Sequence, residues 1–160
     1  MTALVVLRAG DLNRRIRVPK GVIAYLGKFD GSSAGLAVGD MLTARQLLYA
    51  LLIPSGCDAA YTLAASYGPG LGRFVAKMNT TARALGLTRT RFTDFSGLPN
   101  PTEYSTYSTP ASLVALGRDA MRYALFRSIV RLRSYHLGAG GPACGFRRPT
   151  GRRGPHRPAR

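Results

Sequence analysis

The chain has 160 residues, 46% of them hydrophobic, and a formal charge of +16 at neutral pH. That length suits one domain able to bury about two-thirds of its unfolded surface, and that apolar content excludes a wholly disordered chain. No apolar run reaches the length of a bilayer-spanning helix, and the apolar start, Met1 to Leu7, lacks the basic n-region of a signal peptide. Strong basicity invites a nucleic-acid reading through counterion release, but its distribution argues for solvated faces. Residues 141 to 160 hold six arginines and no acid. The other cations spread along the chain, with clusters at Arg14, Arg15, Arg17 and Lys20 and at Arg127, Arg131 and Arg133. Cys57 and Cys144 are too few and too differently placed for a disulfide framework or a metal site.

In chain order, Met1 to Ala9 reads as a helix stopped by Gly10, beginning without a cap as the interior of a longer helix would. Arg14 to Pro19 alternates basic and apolar residues as a half-buried strand does, and Pro19 closes it. Lys20 to Gly39, rich in Gly and Ser, is expected to be mostly loop, with a second short strand at Ser33 to Val38. Thr43 and Gln46 then form a capping box for a helix to Ile53, with Leu47, Leu48, Leu51 and Leu52 on a wide apolar stripe. Pro54-Ser55-Gly56 breaks it, and a second helix restarts near Asp58, whose charge suits the helix dipole, and runs to Gly68. The small residues Ala59, Ala60 and Ala64 predict close backbone neighbours.

Leu71 to Leu85 is an amphipathic helix stopped by Gly86. Thr88 to Tyr107 has no sustained period and carries Gly97, Pro99 and Pro101, a long irregular loop of the kind that is functional or packed down by aromatics. Thr109 and Pro110 supply an N-cap and an N1 proline for a helix through Leu113, Leu116, Ala120 and Met121. Tyr123 to Leu132 continues as a shorter helix or a turn, and Arg133 to Leu137 begins a strand. From about Gly138 the composition is almost wholly Gly, Pro, Arg and Ala, which cannot bury enough surface to offset ordering entropy.

Among candidate reactive groups, Ser55 leads, sitting with Cys57 where a buried helix starts. Its type and local pattern also fit a turn or cap residue. A serine nucleophile needs a base within hydrogen-bond reach, and the two histidines, His136 and His156, lie in or beside the tail, which argues against a Ser-His-Asp triad. Asp58, Asp94, Glu103 and Asp119 are scattered and read as caps and surface charges. Neither a phosphate loop nor metal-ligand spacing is present, so no cofactor and no metal are expected.

The stretches MTALVVL, LTARQLLYALLIPSGCDAAYTLA, FVAKMNTTARALGLTRTRFTDFSGL and YSTPASLVAL together resemble the serine-type D-alanyl-D-alanine carboxypeptidases, the low-molecular-mass penicillin-binding proteins. The resemblance runs in unbroken order from Met1 to about Gly141. It implies a mainly α fragment, the helical subdomain of an α/β β-lactamase/DD-peptidase-like fold, with a short β excursion near residues 14–39. Residues 1–140 would be a partial carboxypeptidase domain and 141–160 a disordered basic tail, read out of frame. The family works with S-x-x-K, S-x-N and K-T-G motifs. By resemblance Ser55 holds the proton-relay position of S-x-N, and Cys57 its third position, where a thiol replaces an amide. The nucleophile and its lysine are absent from the chain, as is K-T-G. The resemblance further implies removal of the terminal D-alanine from peptidoglycan stem peptides, binding of β-lactams, and export to the cell envelope, with no specific nucleic-acid partner. A fragment of that kind would expose apolar helix faces and be marginally stable. The rival readings are a basic nucleic-acid-binding module, resting on charge alone, and a non-catalytic wall-binding protein.

Overall fold

The structure is a computed structural model, and it describes residues 1–136 and 143–145. Helix α4, Cys57–Tyr67, is its axis: Ala59, Ala60, Leu63 and Ala64 are wholly buried, and the small side chains let neighbouring backbones approach. Against it pack α1 (Thr2–Ala9), the short strand β1 (Arg15–Arg17), α2 (Gly21–Phe29), α3 (Ala44–Leu52) and α5 (Leu71–Ala84). The last described part holds α6 (Pro110–Ala120), α7 (Ala124–Val130) and a short antiparallel pair, β3 (Ser134–His136) with β4 (Ala143–Gly145). The expected tail, 141–160, otherwise lies outside the described residues, as does Leu137.

The boundaries follow local chemistry. Gly10 leaves α1 at φ 73°, a conformation only glycine adopts freely. The capping box at α3 is complete: the Thr43 hydroxyl accepts from the Gln46 N–H at 3.1 Å, and the Gln46 side-chain Oε1 accepts from the Thr43 N–H at 2.8 Å. Thr109 caps α6 in the same manner, accepting from the Ser112 N–H at 3.2 Å, with Pro110 following at the first helical position. Phe74, Met78 and Ala82 form the buried stripe of α5. The chain is thus a mainly α fragment, as the sequence implies, with its β structure confined to short pairs among the described residues.

Two expectations in the 20–39 stretch fail. Residues 21–29 form helix rather than loop: the glycines at 21 and 27 weaken the propensity, but Val22 and Tyr25, three apart, dock into the core, and that tertiary burial prevails. Gly21 also suits the close approach of Tyr61, whose hydroxyl oxygen would lie only 2.2 Å from an added Cβ. The second short strand is not 33–38 but β2, Met41–Thr43, which pairs with β1 in antiparallel register, Ile16 opposite Leu42 and both buried. Residues 34–37 cannot form a ladder because their N–H groups are already committed, Ala34 and Leu36 to the Asp58 carboxylate and Ala37 to that of Asp40.

The irregular 88–107 segment is held down at several points. Asn79 of α5 brackets Phe92 as a strand neighbour would, accepting from its N–H at 2.9 Å and donating to its carbonyl at 2.7 Å. Phe95 meets the Tyr25 ring at 5.0 Å and Tyr61 edge-on at 5.8 Å. By contrast α6 exposes much of its apolar stripe, with Leu113 54% and Val114 62% accessible. This unpaired face should bind a hydrophobic dye, and replacing Leu113 and Val114 by serine should lower the dye fluorescence by about half or more while helical circular dichroism stays unchanged. Undiminished fluorescence would place the exposed surface elsewhere.

The Ser55–Cys57 elbow and its cleft

The elbow between α3 and α4 is fixed from both sides. The Gly56 N–H donates to the Ala50 carbonyl of α3 at 3.1 Å, and the Cys57 N–H donates to the Ser32 carbonyl at 2.8 Å. Just before these tethers Ser55 adopts φ 59°, left-handed backbone that costs a non-glycine residue on the order of 1–3 kcal/mol. Its carbonyl accepts from the Ser32 hydroxyl at 2.5 Å, while its own hydroxyl is exposed and has no hydrogen-bond partner among the described residues. Strain at one residue and a free hydroxyl on it are the features that distinguish this turn from an ordinary helix break.

Asp58 holds the elbow in place. Its carboxylate, completely buried, accepts from the Ser33 hydroxyl at 2.6 Å and from the N–H groups of Ala34, Leu36 and Ala59 at 2.9, 3.1 and 2.8 Å. Asp94 is similarly buried, accepting from the Tyr25 hydroxyl, the Ser96 N–H and hydroxyl, and the Asn100 amide. Burial, and the neighbouring Asp94 charge, push the Tyr25 phenol far above its ordinary value, so it stays a neutral donor to Asp94. Asp58 keeps its expected place in the first turn of α4, accepting from the Ala59 N–H there, but neither it nor Asp94 is a surface charge. A sequence shows an acid's position along a helix, not a distant loop whose backbone donors converge on it. Asp119 does sit at the surface, in ion pairs with Arg8 at 3.0 Å and Arg122 at 3.7 Å, and Glu103 is exposed.

Ser55 borders an open, mainly apolar cleft of about 460 Å³, shared by Leu51 and Leu52 of α3, Leu113 and Leu116 of α6, and Phe92 and Phe95. Asp94 is the charged residue in its lining, and its carboxylate is already occupied. No lysine or histidine lines the cleft among the described residues. Cys57, two residues on, turns the other way: it is 4% exposed, its thiol 3.7 Å from the Ser32 hydroxyl and 3.9 Å from the Ser55 carbonyl, under Gly31. The geometry thus separates the two sequence-singled residues, Ser55 to the cleft and Cys57 to the packing beneath the 31–36 loop. His136 is exposed on β3, and His156 lies outside the described residues.

The D-alanyl-D-alanine carboxypeptidase family model matches residues 1–137. The chain is 43% identical over 143 residues to the D-alanyl-D-alanine carboxypeptidase of Streptomyces sp. strain K15, covering 84% of this chain and 48% of that one. It is 41% identical over 131 residues to D-alanyl-D-alanine carboxypeptidase DacB2 of Mycobacterium tuberculosis, covering 81% and 42%. The crystal structure of the Streptomyces K15 DD-transpeptidase superposes with a TM-score of 0.79 at 38% identity, covering 91% of this chain and 59% of the other. The chain belongs to the D-alanyl-D-alanine carboxypeptidase family. It spans about half the length of the curated relatives it matches.

Gly56 offers a direct probe of the elbow. An added Cβ would lie 2.6 Å from Asp58 Oδ1, 2.7 Å from the Ala50 carbonyl oxygen and 2.9 Å from Ala34 Cβ, so two of the obstacles are held by the fold. Gly56→Ala should cost about 1–3 kcal/mol and lower the urea midpoint accordingly. A midpoint unchanged from the parent would show that the elbow is looser than these contacts require.

Proposed function

We propose that this chain is the part of a serine-type D-Ala-D-Ala carboxypeptidase that supplies one corner of its reaction centre, with Ser55 as proton relay. In that reaction the serine of an S-x-x-K motif attacks the carbonyl of the penultimate D-alanine of a peptidoglycan stem peptide. The peptide C–N bond breaks, the departing D-alanine amine takes up a proton, and water then hydrolyses the acyl-enzyme. Ser55 hands on that proton: its hydroxyl can accept from one partner while donating to the leaving amine. The observation that carries this reading is the free, exposed Ser55 hydroxyl on a fixed turn beside the cleft.

Solved forms of the Streptomyces K15 enzyme include one with a serine replaced by alanine, and others with a cysteine two residues further along replaced by alanine or asparagine. Ser55-Gly56-Cys57 has the same spacing, which supports reading it as the family's S-x-N element with cysteine in the third position. From its buried place Cys57 serves the relay by setting the turn that carries Ser55. The cleft's apolar walls would receive the stem peptide or a β-lactam that mimics it. The work takes place outside the cytoplasmic membrane, where peptidoglycan is.

The sequence contains no S-x-x-K, so the purified chain alone should not form a covalent adduct with a fluorescent penicillin. A chimera in which residues 1–136 replace the matched portion of the Streptomyces K15 enzyme should be labelled. Ser55→Ala in that chimera should slow acylation by on the order of 10²- to 10⁴-fold. A folded chimera labelled equally fast with and without the Ser55 hydroxyl contradicts the relay.

A further inference from the structure

At the end of α4 away from the elbow, the surface is cationic. Arg14, Arg15 and Arg17 line one groove of about 290 Å³, floored by Thr62 and Ser66 of α4. Arg8, Arg73 and Lys77 line a second, of about 390 Å³, beside Tyr67. The two meet at the α4 C-terminus, since Ser66 belongs to one and Tyr67 to the other.

Helix electrostatics account for part of this charge. Lys77 donates to the Tyr67 carbonyl at 2.5 Å, and Arg14 reaches the Ser66 carbonyl at 3.4 Å while lying 5.4 Å over the Tyr67 ring. Both complement the negative end of α4. Arg15, Arg17 and Arg73 are left over. All three are exposed, and both ion pairs among the described residues engage Asp119 instead, with Arg8 and Arg122. Arg17 has only a long bond, 3.4 Å, to the Gly39 carbonyl. Acids are scarce here: Asp11 is the sole one in residues 8–17, and residues 61–77 contain none. A solvated face of ordinary composition intersperses both signs.

We propose that the two grooves form one track for a linear phosphodiester polymer that carries no bases. Guanidinium forks match phosphate oxygens two at a time, and a row of them along a groove suits successive phosphates on a chain. A single-stranded nucleic acid needs exposed aromatic platforms on which its bases stack. Tyr67, the aromatic residue at this track, is 6% exposed and covered by Arg14, while the exposed Tyr104 and Tyr107 lie on the 88–107 segment. A helix of 11 residues, about 16 Å long, separates the track from Ser55, so polymer binding stands independently of the relay.

The test is titration of the full chain with fluorescent polyglycerol phosphate across a salt series from about 50 to 200 mM, where the logarithm of affinity should fall with a slope of roughly −3 for four or five phosphates engaged. Replacing Arg15, Arg17 and Arg73 together by serine should weaken binding at least about tenfold at low salt and flatten the slope by roughly 2. The same loss should persist when Arg147, Arg148, Arg152 and Arg153 have first been replaced by serine, and oligo-dT of equal phosphate number should bind more weakly. Circular dichroism confirms that each variant keeps its helices. Parental affinity in the triple variant would overturn the proposal, as would equal or tighter binding of oligo-dT through the same three arginines.

Discussion

A buried carboxylate that ties a loop to the start of a helix is the constraint on which this structure turns. A carboxylate taken out of water is costly unless its lone pairs are fully engaged. Asp58 meets that condition with one hydroxyl and three backbone N–H groups, two of which, Ala34 and Leu36, belong to a segment with no regular structure of its own. The same bonds that satisfy the acid give the 31–37 loop its conformation. That loop then supplies the Ser32 carbonyl and hydroxyl that fix Cys57 and Ser55. Strain at Ser55 is sustained because the bonds to its carbonyl and to the Gly56 and Cys57 N–H groups together outweigh the preference of one residue for a relaxed φ.

Helix α4 connects this constraint to the rest of the molecule. Its small residues draw α1, α2, α3, α5 and β1 close, so its two ends are held with the rigidity of the core. The N-terminal end carries the elbow and borders the apolar cleft. The C-terminal end gathers arginines and a lysine that its carbonyls attract and that exceed what the dipole needs. One buried rod therefore presents the strained Ser55 turn at one end and a cationic surface at the other.

The readable parts of the sequence were those governed by neighbours along the chain. The Thr43–Gln46 box, the Thr109–Pro110 start and the Gly10 stop marked their helices because each signal acts within one turn. Helix α2 was hidden because two glycines lower its propensity while the compensating burial of Val22 and Tyr25 comes from distant elements. The second strand was misplaced for a related reason: the N–H groups of Ala34 and Leu36 go to an acid more than twenty positions away. Within the site, the break between α3 and α4 was legible from Pro54 and Gly56. The roles of Asp58 and Asp94 were not, since convergence of donors on a carboxylate is a tertiary property.

Native-state hydrogen exchange on an Asp58→Ala variant tests the central claim most directly. If the carboxylate organises the elbow, the amides of Ala34, Leu36, Gly56 and Cys57 should exchange roughly a hundredfold faster, while those of Met78 and Ala82 inside α5 keep their parental protection. Parental protection at those four elbow amides in the variant would contradict it.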